Sequence, residues 1–107
     1  MSSRSIPFQP TEIEEMVASH KRWLNNEPGR RANFRKADLS GADLRGADLS
    51  DSDMEDADIS NADLTGADLT NSNLQRKDIM SSGAFLEGAT MPDGRSWEDY
   101  RRRVVRF

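Results

Sequence analysis

Apolar residues recur at every fifth position along the middle of this chain. Residues 32–81 divide into ten consecutive pentapeptides, and the third residue of each is apolar without exception. A spacing of five suits neither regular element, because such residues would step about 140° round an α-helix and would alternate between the faces of a flat strand. The third positions are Phe34, Leu39, Leu44, Leu49, Met54, Ile59, Leu64, Leu69, Leu74 and Ile79.

A backbone that turns after each pentapeptide makes use of this spacing. The first residue of a unit is Ala or Ser until Lys77, and the second is always Asp or Asn. If each unit is a short extended piece followed by a turn, its first and third residues point inward together. The side chain of the second residue then accepts a hydrogen bond from a backbone N–H at its own corner. Such a chain winds into a coil, and we expect successive coils to stack about 4.8 Å apart through backbone hydrogen bonds.

The irregular units recur at a spacing of twenty residues. Ser replaces Ala at Ser52 and Ser72, and the unusual third-position residues Phe34 and Met54 stand twenty apart in the same column. This recurrence predicts four pentapeptides per coil, and therefore a four-sided cross-section of about three coils. After Ser81 the phase slips by two residues. The predicted core columns are Phe34–Met54–Leu74, Leu39–Ile59–Ile79, Leu44–Leu64–Leu86 and Leu49–Leu69–Met91.

The two flanks of the repeats have a different pattern. Residues 11–27 carry apolar side chains at helical spacing, which predicts a capping helix that starts with a capping box of Thr11 and Glu14. Residues 1–10 are predicted to form a flexible arm. Residues 95–107, with Trp97, Tyr100 and Val104 at helical spacing, are predicted to form a short C-terminal helix that serves as a cap or an interface.

The ten units resemble the pentapeptide repeat family. They read ANFRK, ADLSG, ADLRG, ADLSD, SDMED, ADISN, ADLTG, ADLTN, SNLQR and KDIMS, and the pattern resumes in AFLEG and ATMPDG, so that the resemblance covers residues 32–94. It implies an all-β solenoid, a right-handed quadrilateral β-helix.

Composition excludes several classes of protein. The 107 residues suffice for one domain, and without the repeat their 32% of charged residues would favour disorder. Because cysteine is absent, disulfides and thiolate metal sites are excluded. The sequence shows neither an apolar run of about 20 residues nor a secretory signal, so we expect a cytoplasmic protein without membrane contact.

The candidate chemistry is limited to carboxylates. No nucleophile–base pair, phosphate loop or metal-ligand cluster stands out, so we expect neither an enzyme nor a cofactor. Stacked carboxylates could hold a metal or act as acid and base, but we favour a structural role at the corners, since every unit needs such a residue. The acidic columns are Asp38–Asp58–Asp78, Asp43–Asp63 and Asp48–Asp68.

Charge is distributed unevenly along the chain. Residues 32–81 hold eleven acids and five bases, a net charge of −6, whereas 1–31 and 82–107 each hold four acids and five bases, a net charge of +1. One side breaks the acidic pattern. Arg35 should stack on Glu55 and Glu55 on Gln75, while Lys36 should stack on Asp56 and Asp56 on Arg76. We favour surface ion pairing there, and the alternative is a mixed-charge contact face.

The sequence leaves three functions to weigh. We favour a non-catalytic, rigid interaction module with a protein partner of unknown identity, without direct nucleic-acid binding, and acting as a monomer or as a homodimer through the C-terminal segment. The alternative, implied by the family resemblance, is a DNA mimic that binds a type II topoisomerase such as gyrase. An enzyme has only the acidic columns in its favour.

Overall fold

The computed structural model describes residues 8–102, and backbone pairing between coils dominates its central part. Three helices occur in this range: α1 (Pro10–Leu24), α2 (Arg76–Ser81) and α3 (Trp97–Arg101). None of them is long and apolar enough to cross a membrane. Between α1 and α2 the chain pairs with itself through isolated parallel bridges rather than through continuous strands. These bridges join Asn33 to Asp53, Asp38 to Asp58, Asp43 to Asp63 and Asp48 to Asp68.

Each bridge joins residues twenty apart, the spacing predicted from the irregular units. The third-position N–H of one unit donates to the second-position carbonyl of the next coil, as Leu39 does to Asp58 over 2.8 Å. The second-position N–H of the next coil donates back to a first-position carbonyl, as Asp58 does to Ala37 over 2.9 Å. Four units thus complete one coil and form its first to fourth sides in chain order. The first two coils span 32–51 and 52–71.

The corners between units are β-turns. The first-position N–H of one unit donates to the third-position carbonyl of the preceding unit, as Ala37 does to Phe34 over 3.0 Å. The fifth residue of the unit lies inside this turn with a positive φ, for example +57° at Lys36 and +58° at Asn61. Gly, Asn and Asp adopt this left-handed conformation most readily, which explains why they dominate the fifth position.

The core is a set of inward-facing columns. All ten predicted third-position residues are buried, and so are Leu86 and Met91 in the third coil. Most first-position side chains are buried Ala, so that the interior closes beside each larger residue. Ser52 and Ser72 lie in this column as well, and their hydroxyls have no hydrogen-bond partner within residues 8–102.

The third coil differs from the prediction, because its second side is helical. Residues 76–81 form α2 instead of a tenth extended unit, although Ile79 remains buried. Lys77, which was predicted to point inward, is exposed. The chain then returns to the stack with a slip of two residues, and the bridges from Asp63 to Phe85 and from Asp68 to Thr90 span twenty-two residues.

Helix α1 lies against the first coil. It begins at Pro10, one residue before the predicted start, and ends at Leu24, before the predicted limit of 27. The predicted capping box of Thr11 and Glu14 is wrong, because the Glu12 carboxylate accepts the hydrogen bond, 2.8 Å long, from the Gln9 backbone N–H. Residues 1–7 of the predicted arm lie outside the described residues.

His20 joins α1 to the coil. Its imidazole is fully buried, Nδ1 accepts from the Ala32 N–H over 2.9 Å, and Nε2 lies 2.6 Å from the Ser50 carbonyl oxygen. Because Nδ1 accepts, Nε2 carries the proton and donates to Ser50. The His20 side chain therefore satisfies two backbone groups at the edge of the first coil.

Helix α3 follows the third coil and is shorter than the predicted segment of 95–107. The Ser96 hydroxyl accepts from the Asp99 N–H at its start, and Tyr100 is buried. Val104, predicted to lie on the same helix, is outside the described residues. Before α3 the chain folds back on the fourth side, where Thr90 forms an antiparallel bridge with Ser96.

A charge in the middle coil should abolish cooperative unfolding. Leu64 has no exposed surface, and the substitution Leu64→Asp would place a carboxylate in a column without hydrogen-bond donors. We expect the variant to lose the thermal transition of the parent in far-UV circular dichroism.

Met80→Asp is the matched control, because Met80 is 46% exposed on α2. It should melt within a few degrees of the parent. A Leu64→Asp protein that melts like the Met80→Asp protein would contradict the inward orientation of the third position.

Candidate interaction surface

The second-position carboxylates hold the corners from the outside. The side-chain oxygen of the second residue accepts from the fourth-position N–H of its own unit, for example at Asp58, whose Oδ1 lies 2.9 Å from the Ser60 nitrogen. Where the fourth residue is Ser or Thr, its hydroxyl donates to the same oxygen. The second-position residues with the backbone contact are Asn33, Asp38, Asp43, Asp48, Asp53, Asp58, Asp63 and Asp68.

Two predicted corner residues depart from this pattern. Asn73 reaches the preceding coil instead, where its Oδ1 accepts from the Met54 N–H and its Nδ2 donates to Asp53 over 2.9 Å. Asp78 lies in the first turn of α2, so the predicted column Asp38–Asp58–Asp78 contains only its first two members as corner residues.

Several of these carboxylates are held in the ionised form. Hydrogen bonds from the Ser60 hydroxyl and backbone lower the pKa of Asp58, and the Asn73 amide lowers the pKa of Asp53. The Arg45 guanidinium lowers the pKa of Asp43. A donor aimed at a carboxylate favours its charged form, so these corners stay negative at neutral pH.

Arg45 offsets the charge of one acidic column. Its guanidinium donates twice to Asp43, with both contacts at 2.9 Å, and its Nε lies 3.8 Å from Asp63 in the coil above. No comparable cation pairs with Asp38, Asp58, Asp48 or Asp68 within residues 8–102. The acidic columns therefore differ in chemistry although they share one backbone geometry.

The predicted mixed-charge side is present only in part. Arg35 and Glu55 form an ion pair across adjacent coils, with half-exposed side chains. Lys36 and Asp56 both occupy exposed fifth positions, but neither forms an ion pair within residues 8–102. The predicted pairing of Asp56 with Arg76 is wrong.

Arg76 is engaged by α3 instead. Its guanidinium donates to the Tyr100 carbonyl over 2.9 Å, and its Cζ lies 4.5 Å from the centre of the Tyr100 ring. The cause is the start of α2, which takes residue 76 out of the fifth-position turn and toward the end of the stack. We name the remaining residues Arg35, Lys36, Glu55 and Asp56 the mixed face.

One exposed aromatic residue was not identified as a site residue from the sequence. Phe85 occupies the second position of the unit 84–88, where the ten earlier units have Asp or Asn, and it is 61% exposed. It lies beside a groove of about 480 Å³ that also involves Trp97 and Glu98. The signal was present in the sequence, because AFLEG is the one unit that carries an aromatic residue at its second position.

The geometry of the described residues offers surfaces with charges at fixed positions. Within the described range no three His, Asp or Glu side chains are grouped so that they could hold a metal ion. The outward residues stand in fixed columns, and their hydrogen bonds run to neighbours on the same surface. Such an arrangement presents charges at defined positions to a binding partner.

One comparison with known proteins, that with family models, agrees with the repeats. The family model for pentapeptide repeats matches residues 30–51 and 37–76, with 8 copies in all. A pentapeptide repeat protein from Nostoc Pcc 7120, known from a crystal structure, is 25% identical. That match covers 83% of this chain and 79% of the Nostoc chain, with a TM-score of 0.40. The comparison with curated proteins gives no match.

Removing one corner carboxylate tests the role of the corner hydrogen bond. We expect Asp58→Ala to lower the free energy of unfolding by about 1 kcal/mol, because the Ser60 N–H loses its acceptor. Asp58→Asn keeps an acceptor oxygen, as Asn33 does for the Arg35 N–H at 3.1 Å, and should stay within about 0.5 kcal/mol of the parent. Urea denaturation measures both, and equal losses in the two variants would contradict the assignment.

Acid should destabilise the protein through the same groups. Because the pKa values of Asp43, Asp53 and Asp58 are lower in the folded state, their stabilisation is complete above the ordinary value of 3.8. It is lost as pH falls through the folded pKa values, since the unfolded chain then binds more protons. At pH values below about 4, the urea concentration at the unfolding midpoint should therefore decrease. The decrease should be less steep in a variant with all three residues changed to Asn. An identical pH profile in that variant would contradict the prediction.

Proposed function

Because the repeats of this chain are those of the pentapeptide repeat family, we propose that the protein is a non-catalytic interaction module that binds a protein partner through its mixed face. The observation that supports this proposal is the Arg35–Glu55 pair, which joins two coils on a surface whose backbone is fixed by hydrogen bonds. A rigid surface loses little conformational entropy on binding. The partner would be met in the cytoplasm, by a monomer or a homodimer.

The mixed face has both signs of charge at fixed positions. Arg35 and Lys36 stand on the first coil, while Glu55 and Asp56 stand at the same two positions one coil higher. A partner with the reverse arrangement would meet complementary charges, and like charges would repel a partner in the wrong register. Recognition by such a face is specific for arrangement rather than for total charge.

The proposal includes caps at the two ends of the stack. Helix α1 contacts the first coil through buried Ile13 and His20, and residues 95–97 pair with the fourth side of the third coil. Exposed backbone edges invite association between molecules. We propose that these segments limit such association and leave the sides of the coils as the working surface.

The second candidate, a DNA mimic that binds gyrase, rests on the acidic columns. The pKa values of two of their members, Asp43 and Asp58, are lowered, which keeps these carboxylates charged at neutral pH. Arg45 opposes this reading, because it neutralises part of the Asp43–Asp63 column, and so does the modest net charge of −4. A mimic acts through summed charge, so its binding should weaken steeply with salt.

Capture from a lysate of the native host tests the proposal, with a charge-swapped variant as the probe of the face. Arg35→Glu combined with Glu55→Arg keeps an ion pair between the coils but reverses its direction. We expect the parent to retain a partner protein that the swapped variant loses, and purified partner should bind the swapped variant at least tenfold more weakly, about 1.4 kcal/mol.

The matched control changes charge on another side and preserves the corners. Asp38→Asn with Asp58→Asn should capture the same partner as the parent. Retention of the partner by the swapped variant would contradict the assignment to the mixed face.

A supercoiling assay with purified gyrase separates the two candidates. We expect no inhibition by the parent or by a fourfold variant with Asp38, Asp58, Asp43 and Asp63 changed to Asn. Inhibition by the parent that disappears in the fourfold variant would favour mimicry.

A further inference from the structure

The unit 84–88 lies at an edge of the stack where the backbone pattern stops. In the second coil, the Leu64 N–H donates to the Phe85 carbonyl over 2.7 Å and the Gly66 N–H donates to the Glu87 carbonyl over 2.9 Å. These bonds show which N–H groups a unit on the third side donates to the next coil, those of its third and fifth residues. The same two amide positions in the third coil are Leu86 and Gly88.

Three backbone groups of this unit form no hydrogen bond within residues 8–102. The N–H groups of Leu86 and Gly88 and the carbonyl of Ala84 have no hydrogen-bond partner there. They lie at the spacing at which lower coils bond an extended segment: two N–H donors two residues apart and one acceptor. We name these groups the third-side edge.

The neighbouring fourth side shows that such an edge accepts a strand. There the Trp97 N–H donates to the Ala89 carbonyl over 2.9 Å, and the Met91 N–H donates to the Arg95 carbonyl over 2.7 Å. The chain itself supplies this antiparallel segment. The third-side edge presents the same kind of groups without such a cover in the described residues.

The side chains around the third-side edge combine an apolar anchor with acidic groups. Phe85 is 61% exposed, the largest exposure among the large apolar residues described, and half-buried Trp97 lies on the same groove. Three carboxylates line the groove, those of Asp63, Glu87 and Glu98, against one guanidinium, that of Arg101. An occupant with both apolar and basic side chains matches this lining.

We propose that the third-side edge binds one extended segment of a partner protein as an additional β-strand. The segment pairs its backbone with Ala84, Leu86 and Gly88, packs an apolar side chain on Phe85, and places Lys or Arg beside Glu87. Phe85 and Glu87 are two residues apart and point to the same, outward side of the unit, so the apolar and the basic residue of the segment must also stand two residues apart on one face. This inference rests on the proposed role as an interaction module and adds a second contact, distinct from the mixed face.

Charge argues for a basic partner rather than a second copy of this chain. A second copy would bring a groove with the same lining, Asp63, Glu87 and Glu98 against Arg101, toward this one. Two surfaces with the same sign of net charge repel each other. A basic segment gains an attractive contact at the same place.

Peptide binding by the full-length protein tests the inference. The probe is a fluorescein-labelled heptapeptide with Val and Lys two residues apart, Thr-Val-Thr-Lys-Thr-Val-Thr, which we call the Lys/Val peptide. Its controls are the same peptide with Glu in place of Lys and the same peptide with N-methylated backbone on one edge. We expect measurable anisotropy change only for the first peptide. Amide exchange at Leu86 and Gly88 should slow at least tenfold in its presence.

Substitution at Phe85 separates strand pairing from simple charge attraction. Phe85→Asp restores the residue type of the other units and adds a negative charge, so a purely electrostatic contact would strengthen. We expect this substitution to weaken binding of the Lys/Val peptide at least tenfold. Met80→Asp, which adds the same charge at an exposed position on α2, should leave binding unchanged.

Several outcomes would overturn the inference. They are no binding of the Lys/Val peptide up to millimolar concentration, equal binding of the N-methylated peptide, and binding unaffected by Phe85→Asp. A homodimer that Phe85→Asp dissociates would assign the edge to a second copy, and binding that appears only after removal of residues 103–107 would assign it to the chain's own end. A partner captured from the lysate through the mixed face and retained by Phe85→Asp would leave the proposed function standing while this inference fails.

Discussion

The structure depends on one backbone hydrogen bond repeated along the chain, from a third-position N–H to the second-position carbonyl nineteen residues later. Leu39, Leu44 and Leu49 donate in this way to Asp58, Asp63 and Asp68, each over 2.8 Å. A buried N–H without a partner costs about 1–3 kcal/mol, so every unit must end its turn in register with the coil above. The left-handed fifth residue, the carboxylate at the second position and the small first residue all serve that requirement.

The same requirement explains the two ends of the stack, where no further coil supplies partners. His20 replaces a lower coil at one corner by accepting from Ala32 and donating to Ser50, and residues 95–97 replace an upper coil on the fourth side. Side chains on the flat sides are then free to vary, because the backbone and the corner carboxylates carry the fold. This separation of tasks leaves the mixed face and the third-side edge available for the two proposed contacts.

The sequence predicts the repetitive part of the structure but few features of its irregular segments. The ten buried third-position residues and the corner hydrogen bonds follow from a local rule that every unit repeats. Helix α2 breaks that rule, and its signs are visible afterwards: Arg76 and Ser81 stand at fifth positions, where the preceding units have Gly, Asn, Asp or Lys. The contact of Arg76 with Tyr100 joins residues 24 apart across an irregular segment, and no repeat encodes it.

Scalar couplings across hydrogen bonds, measured by NMR on isotope-labelled protein, test the stacking most directly. The account predicts a coupling from the amide nitrogen of Leu39 to the carbonyl carbon of Asp58, and equivalent couplings from Leu44 to Asp63 and from Leu49 to Asp68. Each joins an amide to a carbonyl nineteen residues later, as four five-residue units per coil require. Couplings at another separation, or amides of these leucines that exchange with solvent as fast as those of an unfolded chain, would contradict it.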